Sequence, residues 1–292
     1  MAIRGLALNN EVRVYGINST EIVRTAQQKL NTSACASAAL GRVLSIVSLM
    51  GIMSNDQEQI IVTIDGNGPL KKIHAHYMAN HTIRGYVDNP QVEVLINDQK
   101  KLNVKEIVGT QGTLSVMIKY GLKQDYFGMT NLISGEISED FAYYFASSEQ
   151  IPSVVSAGVL VDKDGTIISA GAIIFQLLPQ ASETTIQYLE NCIDKISNIS
   201  SKLKEDNDIM HVINNVFEDF TLLEKTNVTY NCPCTKEEFY YKIATLSIKD
   251  LKQIKEEDHQ IEAICPWCNT KYHFNEQEID QIIKDKLKAK KD

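Results

Sequence analysis

Two closely spaced cysteine pairs near the C-terminus constrain this chain more than any other feature. The first pair is Cys232-Pro233-Cys234 and the second is Cys265-Pro266-Trp267-Cys268. Zinc prefers four soft thiolates at the corners of a tetrahedron, and each close pair can supply two neighbouring corners. The same sulfurs can form local disulfides when no metal holds them. The pattern therefore predicts one zinc ion bound by four cysteines, and it also allows an oxidised, metal-free state.

Length and charge limit the classes of protein that this chain can belong to. Its 292 residues suffice for one large domain and one small one, and 43% apolar residues is ordinary for a globular protein. The formal net charge of -8 argues against nucleic-acid binding. We find no signal-peptide pattern, so we expect a cytoplasmic protein, where metal or redox chemistry is favoured over structural disulfides.

The longest apolar stretch, Ala34 to Met53, carries Arg42 near its middle. Because an arginine is costly in lipid, we interpret this stretch as a buried core helix and expect no membrane association. Cys35 within it, and Cys192 among aliphatic residues further on, are interpreted as packed, unreactive thiols.

Alternating apolar residues and turn signals predict an α+β domain with mostly antiparallel sheet over residues 1–178. His74 and His76 share one face of a predicted strand, and without a third ligand we expect both at the surface. Strands are predicted over residues 59–64, 70–78, 82–87, 113–120, 126–130, 154–161 and 166–178. Helices are predicted over residues 20–30, 33–53 and 138–150.

Residues 179–230 are predicted to form an amphipathic helical linker. Helical spacing extends over residues 182–225, and we expect the linker to pack on the sheet at rest and to be released conditionally. One apolar helix face is formed by Ile209, Val212, Ile213, Val216, Phe217 and Phe220.

Residues 231–292 are predicted to form a small zinc-binding domain that acts as a redox switch. Helix starts are marked by Thr235 with Glu238, Ser247 with Asp250, and Asn275 with Glu278. Short strands over 261–264 and 271–274 flank the second cysteine pair. Because this unit is polar, it buries little apolar surface when it folds. A structural metal would supply the stability that its folded state lacks. His259 and His273 are minor alternatives as metal ligands.

The chain resembles the 33-kilodalton heat-shock protein family over nearly its whole length. The cysteine pattern carries the resemblance most specifically. Two positions depart from the family pattern: Ala172 stands where glycine is common, and Pro233 stiffens the first pair. Supporting motifs are Asp65-Gly66-Asn67-Gly68-Pro69, Arg84-Gly85, Ser148-Glu149-Gln150-Ile151-Pro152, Gln176-Leu177-Leu178-Pro179 and Tyr272-His273-Phe274.

The resemblance implies a redox-regulated, ATP-independent holdase chaperone of the bacterial cytoplasm. In that family's scheme, zinc on Cys232, Cys234, Cys265 and Cys268 keeps the reduced protein inactive. Oxidants join Cys265 to Cys268 and Cys232 to Cys234, zinc leaves, and the C-terminal unit unfolds. The linker then exposes apolar surface that binds unfolding client proteins, and the active form is a homodimer.

Three alternatives stay open at the level of sequence. The four cysteines could form a permanently closed structural zinc site, a zinc ribbon that binds nucleic acid, or a thiol oxidoreductase centre built on Cys265 and Cys268. The acidic net charge disfavours the second, and the short strands around Cys265 disfavour the third. The sequence has no phosphate-binding loop and no nucleophile elbow, so we predict neither ATP use nor enzymatic activity.

Overall fold

The computed structural model describes residues 1–54, 57–121 and 124–288. The chain divides into two compact units, and the boundary falls between Asn231 and Cys232. The fold is a mixture of helices and antiparallel sheet, which confirms the predicted fold class. The domain limits at residues 178 and 230 stay a prediction.

The described residues form thirteen strands and ten helices. The strands are β1 (Ala2–Ala7), β2 (Val12–Asn18), β3 (Gln59–Gly66), β4 (Lys72–Met78), β5 (Thr82–Val87), β6 (Gly112–Lys119), β7 (Tyr126–Asn131), β8 (Ser153–Val161), β9 (Ile167–Leu177), β10 (Thr221–Thr226), β11 (Thr229–Tyr230), β12 (Gln260–Ile264) and β13 (Lys271–Asn275). The helices are α1 (Thr20–Leu30), α2 (Ala34–Met53), α3 (Val104–Val108), α4 (Ser138–Ser147), α5 (Glu183–Ile196), α6 (Ile199–Glu205), α7 (Ile209–Asn214), α8 (Lys236–Ile243), α9 (Ile248–Asp258) and α10 (Glu276–Lys288).

The long helix α2 lies between the two large sheets of the first unit. It packs on β4 and β5 of a six-stranded sheet ordered β11-β5-β4-β3-β6-β7, and on β8 and β9 of a five-stranded sheet ordered β10-β1-β2-β9-β8. Its small residues permit this burial, and Ser33 caps its start by accepting from the Ala36 N–H. By length and composition α2 is the one helix among the described residues that could cross a membrane, but 94% of its most apolar window is buried inside the fold.

The five-stranded sheet is covered on both faces. Ile17, Ala172 and Ile174 face the core that contains α2. The opposite face packs against apolar residues of the segment from α5 to Phe217, which joins β9 to β10. The sheet side of this second core consists of Ile3, Ala7, Val12, Val14, Ile173 and Phe175, and the covering side includes Leu189, Ile196, Leu203, Ile209, Ile213 and Phe217.

The predicted linker is less helical than expected. The apolar stripe was predicted to be one helix, but α7 ends at Asn214 and residues 221–226 form strand β10, which pairs with β1. The Asp219 carboxylate accepts from the N–H groups of Leu8 and Asn9, at 3.0 and 2.9 Å, so the chain turns back onto the sheet. Five of the six apolar residues are buried as expected and Phe220 is partly buried, but only Ile209, Val212 and Ile213 lie on α7.

Most other predicted elements are confirmed to within a few residues, including α1, α2, β5 and all five elements of the C-terminal unit. Five elements were not predicted from the sequence: β1, β2, α3, β10 and β11. Three of them, β10, β1 and β2, are neighbouring strands of the five-stranded sheet.

The expectation that both strand histidines are surface residues is wrong for His76. His74 is half-buried and stacks on Tyr86 at 4.5 Å between ring centroids, whereas His76 is only 9% exposed. The His76 ring lies 3.0 Å from Gln59 Oε1 and 3.2 Å from the Arg84 guanidinium, on the two strands beside β4. Burial, aided by the positive charges of Arg84 and Lys119, lowers the pKa of His76 to about 4.

Phe217 provides a direct test of how strongly the linker packs. It is 1% exposed and makes an edge contact with Phe175 at 4.8 Å between ring centroids. We expect Phe217→Ala to lower the free energy of unfolding by about 3–5 kcal/mol, measured by urea denaturation of the reduced protein. Leu223→Ala, at a side chain that is 60% exposed, is the control and should change stability by no more than about 0.5 kcal/mol. Equal effects of the two substitutions would contradict this packing.

His76 predicts a pH dependence of stability. Its pKa in the folded protein, about 4, lies below the value of about 6.5 expected in the unfolded chain. Between these values the unfolded state binds more protons, so stability is complete above about pH 6.5 and falls as the pH drops toward 4. His76→Gln should flatten this part of the curve of urea midpoint against pH. A curve equally steep in His76→Gln would refute the assignment.

Candidate metal centre

The four cysteines of the two pairs converge in the C-terminal unit. Their Sγ atoms all lie within 4.8 Å of one another. Two of the short distances run between the pairs: Cys232 Sγ is 3.8 Å from Cys265 Sγ, and Cys234 Sγ is 3.4 Å from Cys268 Sγ. All four are in the reduced thiol form, the second pair buried and the first half-buried. The fold therefore brings together the four cysteines that the sequence pattern indicated.

The second pair lies in the tight turn between β12 and β13. The Cys265 N–H donates to the Thr270 carbonyl at 2.9 Å, and the Asn269 N–H donates to the Cys265 carbonyl at 2.8 Å. Asn269 adopts the left-handed conformation, with φ of 61°, which asparagine tolerates better than most residues. This turn places Cys265 and Cys268 side by side. It is not the start of a helix, which is where a thioredoxin-like redox cysteine lies.

The first pair is held just before α8. Thr235 caps that helix by accepting from the Glu238 N–H at 3.2 Å, as its position predicted. The Tyr272 hydroxyl, on β13, donates to the Cys234 carbonyl at 2.8 Å and lies 3.2 Å from Cys234 Sγ. The Tyr272 ring stacks on Phe239 of α8 at 4.8 Å between centroids. Strand β13 and helix α8 therefore fix the first pair from two sides.

Burial and hydrogen bonding make the four thiols unequal. Burial raises the pKa of Cys265 and that of Cys234. Burial alone would raise the pKa of Cys268 too, but hydrogen bonds with Thr270 and with the sulfurs of the first pair lower it to about 7. The hydrogen bond with Cys234 raises the pKa of Tyr272, so its hydroxyl keeps its proton and acts as a donor.

This donor set fits a divalent metal ion. In a tetrahedral zinc–thiolate site with Zn–S bonds of about 2.3 Å, neighbouring sulfurs are about 3.8 Å apart. The two distances between the pairs, 3.8 and 3.4 Å, lie near that separation. Four thiolates this close repel one another, and a bound cation offsets that repulsion. Cys232, Cys234, Cys265 and Cys268 can therefore hold a metal ion.

The remaining candidate residues lie apart from the cluster. His259 Nδ1 is 2.9 Å from a Glu276 carboxylate oxygen, and His273 Nε2 is 3.5 Å from Glu262, with both histidine side chains more than half exposed. Neither belongs to the group of four that could hold a metal. Cys35 is fully buried and donates to the Leu95 carbonyl at 3.3 Å, and Cys192 is 2% exposed among apolar residues of α5. Both are packed thiols, as predicted.

Two polar side chains that contact the cluster were not predicted from the sequence. The Tyr272 hydroxyl lies 3.2 Å from Cys234 Sγ, and Thr270 Oγ1 lies 3.2 Å from Cys268 Sγ. The alternation of Tyr272 and Phe274 along β13 could have shown that Tyr272 faces the interior of the unit, because every second residue of a strand shares a face. Its precise partner depends on where the first pair folds, which local sequence does not determine.

Comparison of the sequence with known proteins shows which family the chain belongs to. A family profile described as Hsp33 protein matches residues 1–275. The chain belongs to the Hsp33 family. This confirms the resemblance drawn from the cysteine pattern and the upstream motifs.

Named relatives of this Hsp33 chain span its length. The 33 kDa chaperonin of Oceanobacillus iheyensis is 42% identical over 282 residues, 96% of this chain and 98% of the relative. The 33 kDa chaperonin of Bacillus subtilis is 39% identical over 281 residues, 96% and 97% of the two chains. The crystal structure of the 33 kDa chaperonin (heat shock protein 33 homolog) from Thermotoga maritima matches with a TM-score of 0.91 and 34% identity, covering 98% of each chain. These names support a chaperone.

Proposed function

We propose that this Hsp33 chain is a redox-regulated, ATP-independent holdase of the cytoplasm, which binds unfolding proteins and prevents their aggregation during oxidative stress. The observation that carries the proposal is the cluster of four cysteine sulfurs within 4.8 Å in a small unit. The names of the relatives support chaperone activity, and the cluster supports its control by oxidation.

In the reduced state, Cys232, Cys234, Cys265 and Cys268 hold one zinc ion. When bound, zinc offsets the charge of the thiolates and crosslinks the first pair to the turn between β12 and β13. The apolar core of this unit is small, so its stability depends on that crosslink. Its buried residues are Phe239, Ile243, Leu251, Cys265, Cys268, Phe274, Ile279, Ile282 and Ile283.

Oxidation converts the cluster into disulfides within each pair. Cys265 bonds to Cys268 and Cys232 bonds to Cys234, each pair giving up two electrons to the oxidant. The sulfurs then no longer connect residues 232–234 with residues 265–268, and the unit loses the link that its small core requires. The linker ends just before this unit. Asn231, whose N–H donates to the Ile83 carbonyl at 2.9 Å, directly precedes Cys232, so unfolding of the unit begins next to the linker.

The linker helices cover the apolar surface that clients bind. The segment from α5 to Phe217 buries one face of the five-stranded sheet. Gly16 on β2 permits the close approach of α7, because a Cβ at that position would lie 2.6 Å from Ile213 Cδ1 and 2.8 Å from Ile209 Cγ1. Release of this segment exposes apolar residues of both partners, which bind unfolding proteins and support a homodimer of the active form.

The switch makes zinc content, thiol state and chaperone activity change together. We expect the reduced, zinc-loaded protein not to suppress aggregation of a denatured client. Peroxide at elevated temperature should release zinc, consume four thiols and turn suppression on. Zinc is followed with a chromogenic chelator, thiols by alkylation and mass spectrometry, and aggregation by light scattering.

Two controls define the outcome of this test. Cys35→Ala removes a buried thiol outside the cluster and should behave like the unchanged protein, whereas Cys265→Ser should fail to retain zinc. Equal suppression of aggregation before and after oxidation would refute the switch.

The covering role of the linker can be tested without oxidation. Gly16→Val places a side chain where Ile209 and Ile213 now pack, so α7 cannot dock fully. We expect this variant, reduced and still carrying zinc, to suppress client aggregation at least partly. A Gly16→Val protein that keeps its zinc and binds a fluorescent apolar dye more strongly, yet never suppresses aggregation, would show that this face does not bind clients.

A further inference from the structure

The two ends of the segment from α5 to Phe217 lie beside one short turn of the five-stranded sheet. This turn, residues 8–11, joins β1 to β2. The chain leaves the sheet after β9, whose Leu177 pairs with Val12 at the start of β2. It rejoins the sheet at β10, whose Thr221 pairs with Leu6 near the end of β1. The turn therefore lies at the end of the sheet where the chain enters and leaves the segment.

The Glu11 carboxylate, on this turn, holds the start of the segment. Its Oε2 accepts from the Ser182 N–H at 2.9 Å and from the Thr185 hydroxyl. Ser182 is the N-cap residue of α5, and its hydroxyl lies 2.8 Å from the same oxygen. These hydrogen bonds, the one from Thr185 first, lower the pKa of Glu11, so the carboxylate is ionised at neutral pH. A negative charge at the first turn of a helix also interacts favourably with the helix dipole.

A second carboxylate holds the end of the segment, with the roles of turn and segment exchanged. Asp219, two residues after Phe217, accepts from the N–H groups of Leu8 and Asn9 at 3.0 and 2.9 Å. Leu8, Asn9 and Asn10 all adopt the left-handed conformation, with φ of 52°, 55° and 65°. Successive N–H groups of a turn can form a concave site for an anion, and here two of them reach the two oxygens of one carboxylate.

The turn couples these two contacts to each other. The left-handed conformation is costly for residues other than glycine, most of all for Leu8, so the turn keeps its shape only while its surroundings hold it. The Leu8 carbonyl accepts from the Glu11 N–H at 3.0 Å, and the Leu8 side chain packs against the core that the segment covers. Loss of the contact at one end of the segment therefore weakens the turn that provides the contact at the other end.

We propose that the turn of residues 8–11 is a clasp that sets how readily the linker lifts from the sheet, with Glu11 and Asp219 as its positioning residues. This inference rests on the proposed function, and it adds a determinant outside both the metal centre and the apolar core. Once the C-terminal unit has unfolded, the clasp and the apolar contacts still hold the segment. The strength of the clasp then sets the fraction of the protein in which the segment is released.

The test measures amide hydrogen exchange by mass spectrometry in the full-length, reduced, zinc-loaded protein. Glu11→Gln and Asp219→Asn each remove one negative charge and keep the size of the side chain. We expect each to speed exchange in residues 183–217 by about fivefold, the effect of losing one helix cap, and the double variant to exceed either. Peptides from α2 and from the C-terminal unit should keep their exchange rates.

Aggregation assays of the same variants separate release of the linker from the chemistry of the cysteines. The double variant should keep its zinc and the reduced thiols of the cluster, yet suppress client aggregation at least partly. When equal numbers of thiols have been oxidised, each single variant should suppress aggregation more than the unchanged protein does. Thiols are counted by alkylation and mass spectrometry on the samples used in the assay.

Two control variants leave the clasp in place. Glu218 is exposed beside Asp219, and Glu218→Gln removes its charge without removing either carboxylate contact. Val62 is fully buried in the six-stranded sheet, so Val62→Ala loosens the first unit without touching the turn. Both variants should keep the unchanged exchange rate in residues 183–217, and both should be inactive when reduced.

The outcomes distinguish this inference from the function on which it rests. Unchanged exchange in residues 183–217 in both clasp variants, or equal acceleration in Val62→Ala, would overturn the clasp and leave the switch intact. Failure of the oxidised, unchanged protein to suppress aggregation would overturn the proposed function at any exchange rate. Each single variant tests one end of the segment, so Asp219→Asn gives an answer even where Glu11→Gln impairs folding.

Discussion

The close approach of four cysteine sulfurs is the constraint on which the C-terminal unit depends. A single charged thiolate in that space is tolerable, but several within 4.8 Å repel one another strongly unless a cation lies among them. The contacts at 3.8 and 3.4 Å run between the pairs, so they join parts of the chain about thirty residues apart. A bond within either pair closes only a very short loop, which restricts an unfolded chain far less than a link between the pairs does.

The first unit depends on a different arrangement, in which one sheet is buried on both faces. Helix α2 covers one face of the five-stranded sheet, and the segment from α5 to Phe217 covers the other. A sheet with two apolar faces needs both covers to remain soluble. The two covers differ in kind. Helix α2 is almost entirely buried between sheets, whereas α5 to α7 keep one face in solvent, which makes them the cover that can be removed at lower cost.

Local signals in the sequence predicted local structure well. The helix caps at Thr235 and Ser247, and the alternation along β3 to β6, depend on near neighbours, so periodicity and capping chemistry suffice to locate them. Features set by distant partners were missed or misjudged. The return of the chain to the sheet after α7 involves Asp219, which accepts from Leu8 and Asn9, more than two hundred residues away. The burial of His76 depends on side chains from the strands on either side.

The residues of the candidate metal centre also differ in how well the sequence predicts them. Four cysteines in two close pairs can be recognised from the sequence alone, because few arrangements other than a metal site bring so many reduced thiols together. The hydroxyls of Tyr272 and Thr270 have no comparable signature, because tyrosine and threonine are common strand residues. Only the folded hairpin shows which sulfur each one faces.

The segment from α5 to α7 leaves and rejoins the same sheet, since it begins after β9 and ends at β10. If its helices melt while both strands stay paired, the segment remains a closed loop anchored at its two ends. Loop closure keeps its apolar residues at high effective concentration beside the face they covered, so they compete directly with any bound polypeptide. Docking would then need no diffusional search, because the loop would fold back onto the surface from which it came.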